Sequence, residues 1–154
     1  MPILDEILKK PSNIARIPKL RGDVMIRSVN VVGAVIENHN GQFLCALRSS
    51  KMSMPNLWEF PGGKIKEGEK PETALVREIV EELGCTVKVG ELVASVEHQY
   101  PEIKVNLKTF KAIIENGQPK ALEHSELRWV PKGELEKLNW APADIPTVNK
   151  LKGS

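Results

Sequence analysis

Apolar and polar residues alternate along the chain in a pattern that predicts strands on both sides of one amphipathic helix. Residues 28–36 form an apolar, β-branched run that predicts a buried strand, and Gly33 within it indicates close backbone approach. Asn40-Gly41 is a strong hairpin-turn signal, so residues 42–48 are predicted to return as the next strand. A short strand is expected at 58–60.

Residues 71–83 carry the signals of a helix. Pro71 suits the first helical position, and Glu72 suits the positive end of the helix dipole. Gly84 is predicted to end the helix in a left-handed conformation. We expect the buried stripe of this helix to consist of Val76, Ile79, Val80 and Leu83.

The second half of the chain is predicted to be mostly strand. Residues 86–99 read as a strand pair or as one bent strand around Gly90, and 103–114 as a long strand. A short strand at 127–130 is followed by predicted helices at 131–138 and 144–151. The fold class is therefore α/β (α+β), with helices packed on a mixed sheet.

The first 27 residues are the least informative part of the sequence. Leu4, Ile7 and Leu8 predict a short amphipathic helix before Pro11. We interpret residues 1–27 as an extension packed on a single domain, with a dimer contact or a cover over the substrate as alternatives. No apolar run is long enough for a membrane span, and a cytoplasmic location is expected by default.

Charge and cysteine content narrow the choice of partners. The net charge of +2 gives no argument for binding a nucleic-acid polymer, and no membrane partner is expected. Residues 63–85 hold six glutamates against three lysines and one arginine, so the rest of the chain is basic enough to suit an anionic phosphate substrate. Cys45 and Cys85 lie in apolar runs and are predicted to be buried free thiols.

Three carboxylates of the predicted helix are spaced to share one face. Glu78, Glu81 and Glu82 stand at i, i+3 and i+4, where like charges destabilise an isolated helix by a few tenths of a kcal/mol per pair. On an arbitrary helix this is a solvated face. A hard divalent cation, which prefers oxygen ligands, would offset the repulsion.

The full spacing around these glutamates is specific. The pattern Gly-x5-Glu-x7-Arg-Glu-apolar-x-Glu-Glu-x-Gly-apolar is met at every fixed position from Gly63 to Cys85. This segment resembles the Nudix box, and residues 58–64, Trp-Glu-Phe-Pro-Gly-Gly-Lys, resemble the MutT-type branch of that family. The resemblance implies an α/β/α sandwich and covers roughly residues 28–151, within a proposed domain at 28–154.

The resemblance implies a set of metal ligands. In the family the second, third and fourth glutamates of the box bind metal, which here are Glu78, Glu81 and Glu82, with the Gly63 carbonyl as a further donor. Glu69 and Gly84 would have structural roles, and Glu69 would pair with Arg77. Arg77 itself is counted among the catalytic residues. The expected cofactor is Mg²⁺, with Mn²⁺ as a substitute.

MutT-type enzymes also place an acidic residue near the metals, six residues before a strand tryptophan. Glu123 stands six residues before Trp129 and is the candidate for metal binding or for the general base. Glu126 is its competitor. The neighbouring His124 is expected to be an exposed loop residue.

Several residues are candidates for substrate binding by the same resemblance. Arg48, eleven residues before Glu59, matches a phosphate-binding arginine, and Lys64 is added to the substrate-binding set. Phe60 matches an aromatic residue of the base pocket, with core packing as the alternative.

Asp144 is the clue to base specificity. It stands where MutT has an asparagine and where the related CTP pyrophosphohydrolases have an aspartate. An ionised carboxylate only accepts hydrogen bonds and would favour cytosine, adenine or oxidised guanine. The alternative is a plain helix N-cap, and both roles are compatible.

The sequence therefore predicts a MutT-like Nudix hydrolase that cleaves (deoxy)nucleoside triphosphates, such as 8-oxo-dGTP, to the monophosphate and pyrophosphate. The alternatives are a CTP or 5-methyl-dCTP pyrophosphohydrolase, an ADP-ribose or dinucleoside polyphosphate hydrolase, and a nucleotide sensor without activity. A monomer or a homodimer is expected.

Overall fold

The computed structural model describes the backbone of residues 15–18 and 25–154, and side chains from residue 27 onward. The helix predicted around Leu4, Ile7 and Leu8 lies outside the described residues. Within them, the strands are β1 (Ala15–Pro18), β2 (Met25–Ile36), β3 (Gln42–Leu47), β4 (Trp58–Glu59), β5 (Gly62–Lys64), β6 (Thr86–Gln99), β7 (Ile103–Asn116) and β8 (Glu126–Pro131). The helices are α1 (Pro71–Leu83) and α2 (Ile145–Lys152), with 3-10 helices at Lys132–Lys137 and Pro142–Asp144.

The strands form two sheets. In the larger sheet the order is β1-β2-β7-β6, and β5 also pairs with β2. The β2–β7 pair is parallel, whereas β1, β5 and β6 pair antiparallel with their neighbours. The smaller sheet is antiparallel with the order β4-β3-β8. The mixed sheet predicted from the sequence is therefore present.

Helices cover both faces of the sheet because β2 is buried on both sides. Val32, Ala34 and Ile36 join the apolar cluster that contains α1, while Val35 joins the cluster that contains α2. Successive side chains of a strand point to opposite faces, so one strand contributes to both layers. This arrangement is the predicted α/β/α sandwich.

One predicted alternative is confirmed, and two predicted elements differ in detail from the structure. The segment 86–99 is one strand, whose register shifts between Val89 and Leu92, around Gly90. The predicted helix at 131–138 is a 3-10 helix. The last α-helix begins at Ile145, after the 3-10 turn that contains Asp144, so Asp144 lies in that turn.

The buried face of α1 is rotated from the predicted one. Its buried residues are Ala74, Leu75, Ile79, Glu82 and Leu83, whereas Val80 is 49% exposed. The expected stripe was therefore wrong at Val80, and the shift turns Glu82 toward the sheet. The predicted end of the helix is confirmed, because Gly84 has a φ of 68° and its N–H donates to the Val80 carbonyl.

A close backbone approach brings β5 against β2. Gly33 pairs with Gly62, and a Cβ at Gly62 would overlap the Val32 carbonyl oxygen. Only glycine fits at that position. The β5 backbone therefore lies tightly on β2. In this position the Gly62 N–H reaches Glu82, a residue of the site described below. In the part of the chain that is described, no helix has both the length and the apolarity needed to cross a membrane.

Candidate active site

Strand β5 and helix α1 together hold two of the predicted carboxylates. The Gly62 N–H donates to Glu82 Oε1 at 2.9 Å. A Cβ at Gly63 would overlap the Glu78 carboxylate, so the missing side chain of Gly63 is what gives Glu78 its place. Glu78 and Glu82 therefore both face the glycine strand, as their i, i+4 spacing predicts.

Glu82 is the most buried of the three box carboxylates. Its side chain lies in the protein interior with 2% exposure, and its Oε2 atom has no hydrogen-bond partner among the described residues. Burial raises the pKa of Glu82 well above its usual range, and the charges of Glu123 and Glu78 raise it further. An unpartnered, buried carboxylate oxygen is costly unless a cation or a proton compensates its charge.

Arg77 joins the box glutamates to one another. Its Nε and Nη2 atoms donate to the two oxygens of Glu69 at 2.9 Å each, which is the predicted ion pair. Nη1 donates to Glu78 Oε1 at 2.8 Å and lies 3.3 Å from Glu81 Oε2, while Nη2 also donates to the Lys64 carbonyl. The planar guanidinium has the donors for all these contacts at once.

Glu69 also closes the loop before α1. Its Oε1 atom accepts the N–H of Lys66, so it holds a backbone amide as well as Arg77. The hydrogen bonds from Arg77, followed by that from Lys66, lower the pKa of Glu69 to about 2. The Lys70 side chain makes no hydrogen bond that caps α1. The position where the helix begins is therefore fixed by this loop, which Glu69 holds closed.

Glu81 is the solvent-side member of the group. Its side chain is 54% exposed and its described ion pair is with Arg77. The three glutamates thus differ in depth, from buried Glu82 through half-buried Glu78 to exposed Glu81. The site is open to solvent on one side and closed by β5 on the other.

Glu123 and its competitor Glu126 have different surroundings. Glu123 is exposed on the loop before β8, and its charge acts on Glu82. Glu126 lies in β8 and is paired with Arg128, whose Nη2 is 2.8 Å from Glu126 Oε2. Of the two, Glu123 is the one in electrostatic reach of the box carboxylates.

Arg48 is not at the surface, where we expected it to meet a phosphate. Its side chain is fully buried, and Nη1 donates to Glu59 Oε1 at 3.0 Å. Nε and Nη2 donate to the carbonyl and hydroxyl oxygens of Ser53. The guanidinium therefore ties the loop after β3 to β4, and the expected role in phosphate contact is not supported by its contacts.

His124, expected to be exposed, is also buried. Its Nε2 atom lies 2.7 Å from Glu59 Oε2. Burial lowers the pKa of His124 to about 3, so the ring is neutral. Because an ionised carboxylate only accepts hydrogen bonds, we assign the proton to Nε2, which leaves the buried Nδ1 without a partner among the described residues.

Glu59 and His124 form a group with Glu82. One ligand-capable atom of each lies within 4.8 Å of the others. The Arg48 guanidinium already supplies a positive charge beside Glu59. Arg48, Glu59 and His124 therefore form a charge-balanced polar cluster next to Glu82. Sequence reasoning missed Glu59, although a charged residue between Trp58 and Phe60 in a buried strand is a signal that an internal partner exists.

Asp144 does not cap α2. Its side chain makes no capping hydrogen bond, and Oδ1 accepts the Phe60 N–H at 3.3 Å. The carboxyl group is buried, Oδ2 has no partner among the described residues, and burial raises the pKa of Asp144 to about 7. The plain N-cap alternative is therefore wrong. Tyr100 lies nearby, with its hydroxyl oxygen accepting the Ala143 N–H.

The remaining candidates for substrate binding lie around β4 and β5. Phe60 is buried and stacks on Trp140 with ring centroids 4.7 Å apart, so its side chain packs in the core. Its backbone, by contrast, holds Asp144. Lys64 is half-buried, and its carbonyl accepts a hydrogen bond from Arg77.

The donor set suits a hard divalent cation. Glu78, Glu81 and Glu82 offer oxygen ligands on one helix face, which is the ligand type of Mg²⁺ and Ca²⁺. The buried Oε2 atom of Glu82 is a carboxyl oxygen that lacks a protein partner among the described residues. Thiolate or imidazole ligands do not accompany these three carboxylates on the helix, which disfavours a softer metal.

Comparison with known proteins gives consistent matches. A family model described as "NUDIX domain" matches residues 32–150. A CTP pyrophosphohydrolase from Escherichia coli (strain K12) is 38% identical over 123 residues, which cover 80% of this chain and 90% of that protein. An 8-oxo-dGTP diphosphatase from the same strain is 32% identical over 127 residues, covering 82% of this chain and 98% of that protein.

Solved structures give the same picture. The solution structure of the DNA mismatch repair protein MutT (family Nudix hydrolase) from methicillin-resistant Staphylococcus aureus 252 has a TM-score of 0.69 at 47% sequence identity. The match covers 84% of this chain and 98% of that chain. Each of these matches covers at least 80% of this chain, and the family model at residues 32–150 includes the carboxylate helix.

Proposed function

The chain belongs to the Nudix family, and we propose that it is a MutT-like enzyme that hydrolyses (deoxy)nucleoside triphosphates to the monophosphate and pyrophosphate. The leading substrates are damaged or modified nucleotides such as 8-oxo-dGTP. An 8-oxo-dGTP diphosphatase is among the relatives that match nearly all of the domain. The intact box glutamates argue against a sensor without activity.

The buried Oε2 atom of Glu82 carries the proposal. A carboxylate oxygen held in the interior by the Gly62 N–H, without a partner of its own among the described residues, is organised for a cation rather than for solvent. We propose that Glu78, Glu81 and Glu82, with the Gly63 carbonyl, hold Mg²⁺, and that Mn²⁺ can replace it. The bound metal would neutralise phosphate charge during hydrolysis.

The protein groups have separate roles in this proposal. Arg77 holds Glu69, Glu78 and the Lys64 carbonyl in fixed positions, so the carboxylates do not spread apart under their own repulsion. Glu123, on the loop before β8, would accept the proton of the attacking water or contribute a further oxygen ligand. Lys64 would contact substrate phosphate.

We propose that Asp144 reads the base. Its Oδ1 is fixed by the Phe60 N–H, and its Oδ2 lies in the same buried position without a protein partner among the described residues. When ionised it accepts a hydrogen bond from an amino or N–H group of a base. This arrangement is compatible with the second candidate function, a CTP or 5-methyl-dCTP pyrophosphohydrolase. The 38% identity with the E. coli CTP pyrophosphohydrolase is a separate observation in favour of that function.

A substrate panel tests the proposal. Pyrophosphate release would be measured with Mg²⁺ for 8-oxo-dGTP, dGTP, CTP, 5-methyl-dCTP, ADP-ribose and a dinucleoside polyphosphate, and again after chelation of the metal. Turnover concentrated on one triphosphate, and abolished by chelation, supports the reaction and identifies the base. If the panel is bound but none of it is hydrolysed, the protein is a nucleotide sensor and the enzymatic proposal is rejected.

We take residues 1–27 as an extension of a Nudix domain at 28–154, and the enzyme as cytoplasmic, where nucleotide triphosphates are its substrates. We propose a monomer or a homodimer, and sedimentation of the full chain distinguishes the two.

A further inference from the structure

We propose that His124 is a positioning residue for Glu123, held by a buried chain of polar groups that runs from Arg48 through Glu59. The inference rests on the proposed role of Glu123 in hydrolysis. The sequence did not predict this role for His124. Although His124 follows a catalytic candidate in the chain, its side chain is buried and turns away from the open side of the site.

The loop before β8 is anchored at two consecutive residues. His124 is buried, while Glu123 before it and Ser125 after it are exposed. The Ser125 N–H donates to the Leu47 carbonyl at 3.0 Å, which fixes the loop to the end of β3. His124 adds a side-chain anchor directed into the interior, one residue from Glu123.

The anchor is rigid because both oxygens of Glu59 are occupied. Oε1 accepts from Arg48 Nη1 at 3.0 Å, and Oε2 accepts from His124 Nε2 at 2.7 Å. Charge-assisted hydrogen bonds of this length are stronger and more directional than neutral ones. A shift of His124 would break its hydrogen bond to a buried carboxylate oxygen, which favours one position of the loop.

The same chain connects the loop with the strand on the other side. Arg48 donates through Nε and Nη2 to Ser53, and its own N–H donates to the Leu57 carbonyl. The buried polar chain therefore joins the loop after β3, strand β4 and the loop before β8, and it passes within 4.8 Å of a ligand-capable atom of Glu82. It acts as a rigid support behind the proposed metal site.

Adjacent Cα atoms are about 3.8 Å apart, so fixing residue 124 restricts the position of residue 123 closely. The charge of Glu123 acts on Glu82 across the site. Glu123 lies on a loop, outside the helices and strands, so the neighbouring anchor at His124 helps to hold it at a defined distance from the box carboxylates.

A metal ion bound by Glu59, Glu82 and His124 is the competing interpretation of the same group. It is disfavoured because Arg48 already balances the charge of Glu59 at 3.0 Å, and a cation would be placed next to the guanidinium. His124 Nε2 would also have to give up its hydrogen bond to Glu59 before it became a ligand.

A double-mutant cycle tests the positioning role. His124→Leu removes the donor at similar volume, Glu123→Gln removes the group that is positioned, and both are combined. We expect His124→Leu to lower kcat about 10- to 100-fold with little change in KM, as is typical when the support of an active-site group is lost. In the Glu123→Gln background the same change should cost less than about 2-fold, because there is no longer a carboxylate to position.

Conservative variants separate positioning from general destabilisation. His124→Gln, whose side-chain amide can reach Glu59, should recover most of kcat, whereas the shorter His124→Asn should not. His124→Asn also serves if His124→Leu does not fold. His39→Leu, in an exposed turn, is the matched control and should leave kcat unchanged.

A measurement on the metal-free protein is independent of turnover. Backbone ¹⁵N relaxation should give the Glu123 amide an order parameter of about 0.85 in the unmodified protein and below about 0.6 in His124→Leu. An ordered loop in His124→Leu, an unchanged kcat, or equal losses in both backgrounds would each overturn the proposal.

Failure of the wider function has a different signature. If the unmodified protein hydrolyses no member of the panel, the proposed reaction is wrong. If it hydrolyses a substrate but Glu123→Gln does so equally well, the role of Glu123 is wrong, and the positioning role falls with it.

Discussion

The backbone N–H of Gly62 donates to Glu82 Oε1 at 2.9 Å, across the boundary between β5 and α1. This hydrogen bond fixes one oxygen of a buried carboxylate and leaves the other, Oε2, without a partner among the described residues. The strand therefore aims the carboxylate, and the helix supplies it. Neither element alone would define where Oε2 lies.

Glu82→Gln should abolish most turnover while the fold is kept. The amide oxygen can still accept the Gly62 N–H, but the anionic donor for the proposed metal is lost, so kcat should fall by about 100-fold or more. The rise in Tm that Mg²⁺ causes should also disappear. Steady-state kinetics and thermal unfolding, with and without Mg²⁺, measure both effects.

Glu72→Gln, in the exposed first turn of α1, is the matched control for removing one glutamate charge. It should change neither kcat nor the effect of Mg²⁺ on Tm. Turnover of Glu82→Gln close to that of the unmodified protein would remove Glu82 from the metal ligands.

Alanine substitutions at the adjacent glycines Gly62 and Gly63 should separate an effect on folding from an effect on activity. In Gly62→Ala the new Cβ meets the Val32 backbone, so we expect a loss of about 3 kcal/mol or more in the free energy of unfolding. In Gly63→Ala the new Cβ meets the movable Glu78 carboxylate, so activity should fall more than stability. Urea unfolding and kcat, measured on each variant, give the comparison.

Gly133→Ala serves as the control, because no atom lies within 4 Å of its Cβ position. It should be neutral in both measurements. Equal stability of the Gly62→Ala and Gly63→Ala variants would contradict the close approach of β5 and β2.

The pH dependence of stability should report the ion pair of Glu69 and Arg77. The pKa of Glu69 is lowered to about 2 in the folded protein, so its contribution to stability is fully present above its unfolded pKa of about 4.3 and is lost as the pH falls toward 2. The difference in the free energy of unfolding between the unmodified protein and Glu69→Gln should therefore shrink over this range. Urea titrations at several pH values measure it.

Glu67→Gln, exposed in the same loop, is the control and should show no such pH-dependent difference. A gap between the unmodified protein and Glu69→Gln that stays constant from pH 7 to pH 2 would argue against the pair as a contributor to stability.

Asp144→Asn should change base preference more than overall rate. The amide offers a donor where the ionised carboxylate offers only acceptors, so substrates that present an N–H group to this position should lose kcat/KM relative to the others. Competition between CTP, 5-methyl-dCTP and 8-oxo-dGTP measures the ranking. An unchanged ranking would remove Asp144 from base recognition.

The Asp144→Asn variant also tests how the free energy of unfolding depends on pH. The expected direction is opposite to that for Glu69. The pKa of Asp144 is raised to about 7, so its contribution to stability is fully present below the unfolded pKa and is lost as the pH rises through about 7. Asparagine stays neutral. Asp144→Asn should thus gain stability relative to the unmodified protein between pH 4 and pH 8, by at most about 4 kcal/mol.

The sequence by itself determined the local features of this protein. Proline and glycine signals predicted the ends of α1, because backbone φ preferences act within a few residues. The spacing of Glu78, Glu81 and Glu82 placed them on related faces of one helix, because helical geometry depends on sequence separation alone. The ion pair of Glu69 and Arg77 was also within reach of such reasoning, since the loop and the helix are contiguous.

Only the tertiary structure decided which of these groups are buried. The face of α1 that packs on the sheet is set by β2 and β5, and it turned Glu82 inward and Val80 outward. Arg48, Glu59 and His124 come from the loop after β3, from β4 and from the loop before β8, up to 76 residues apart in the chain, and no local pattern predicts their contact. Burial and long-range pairing depend on how the elements pack, and they determined the partners of Arg48, His124 and Asp144.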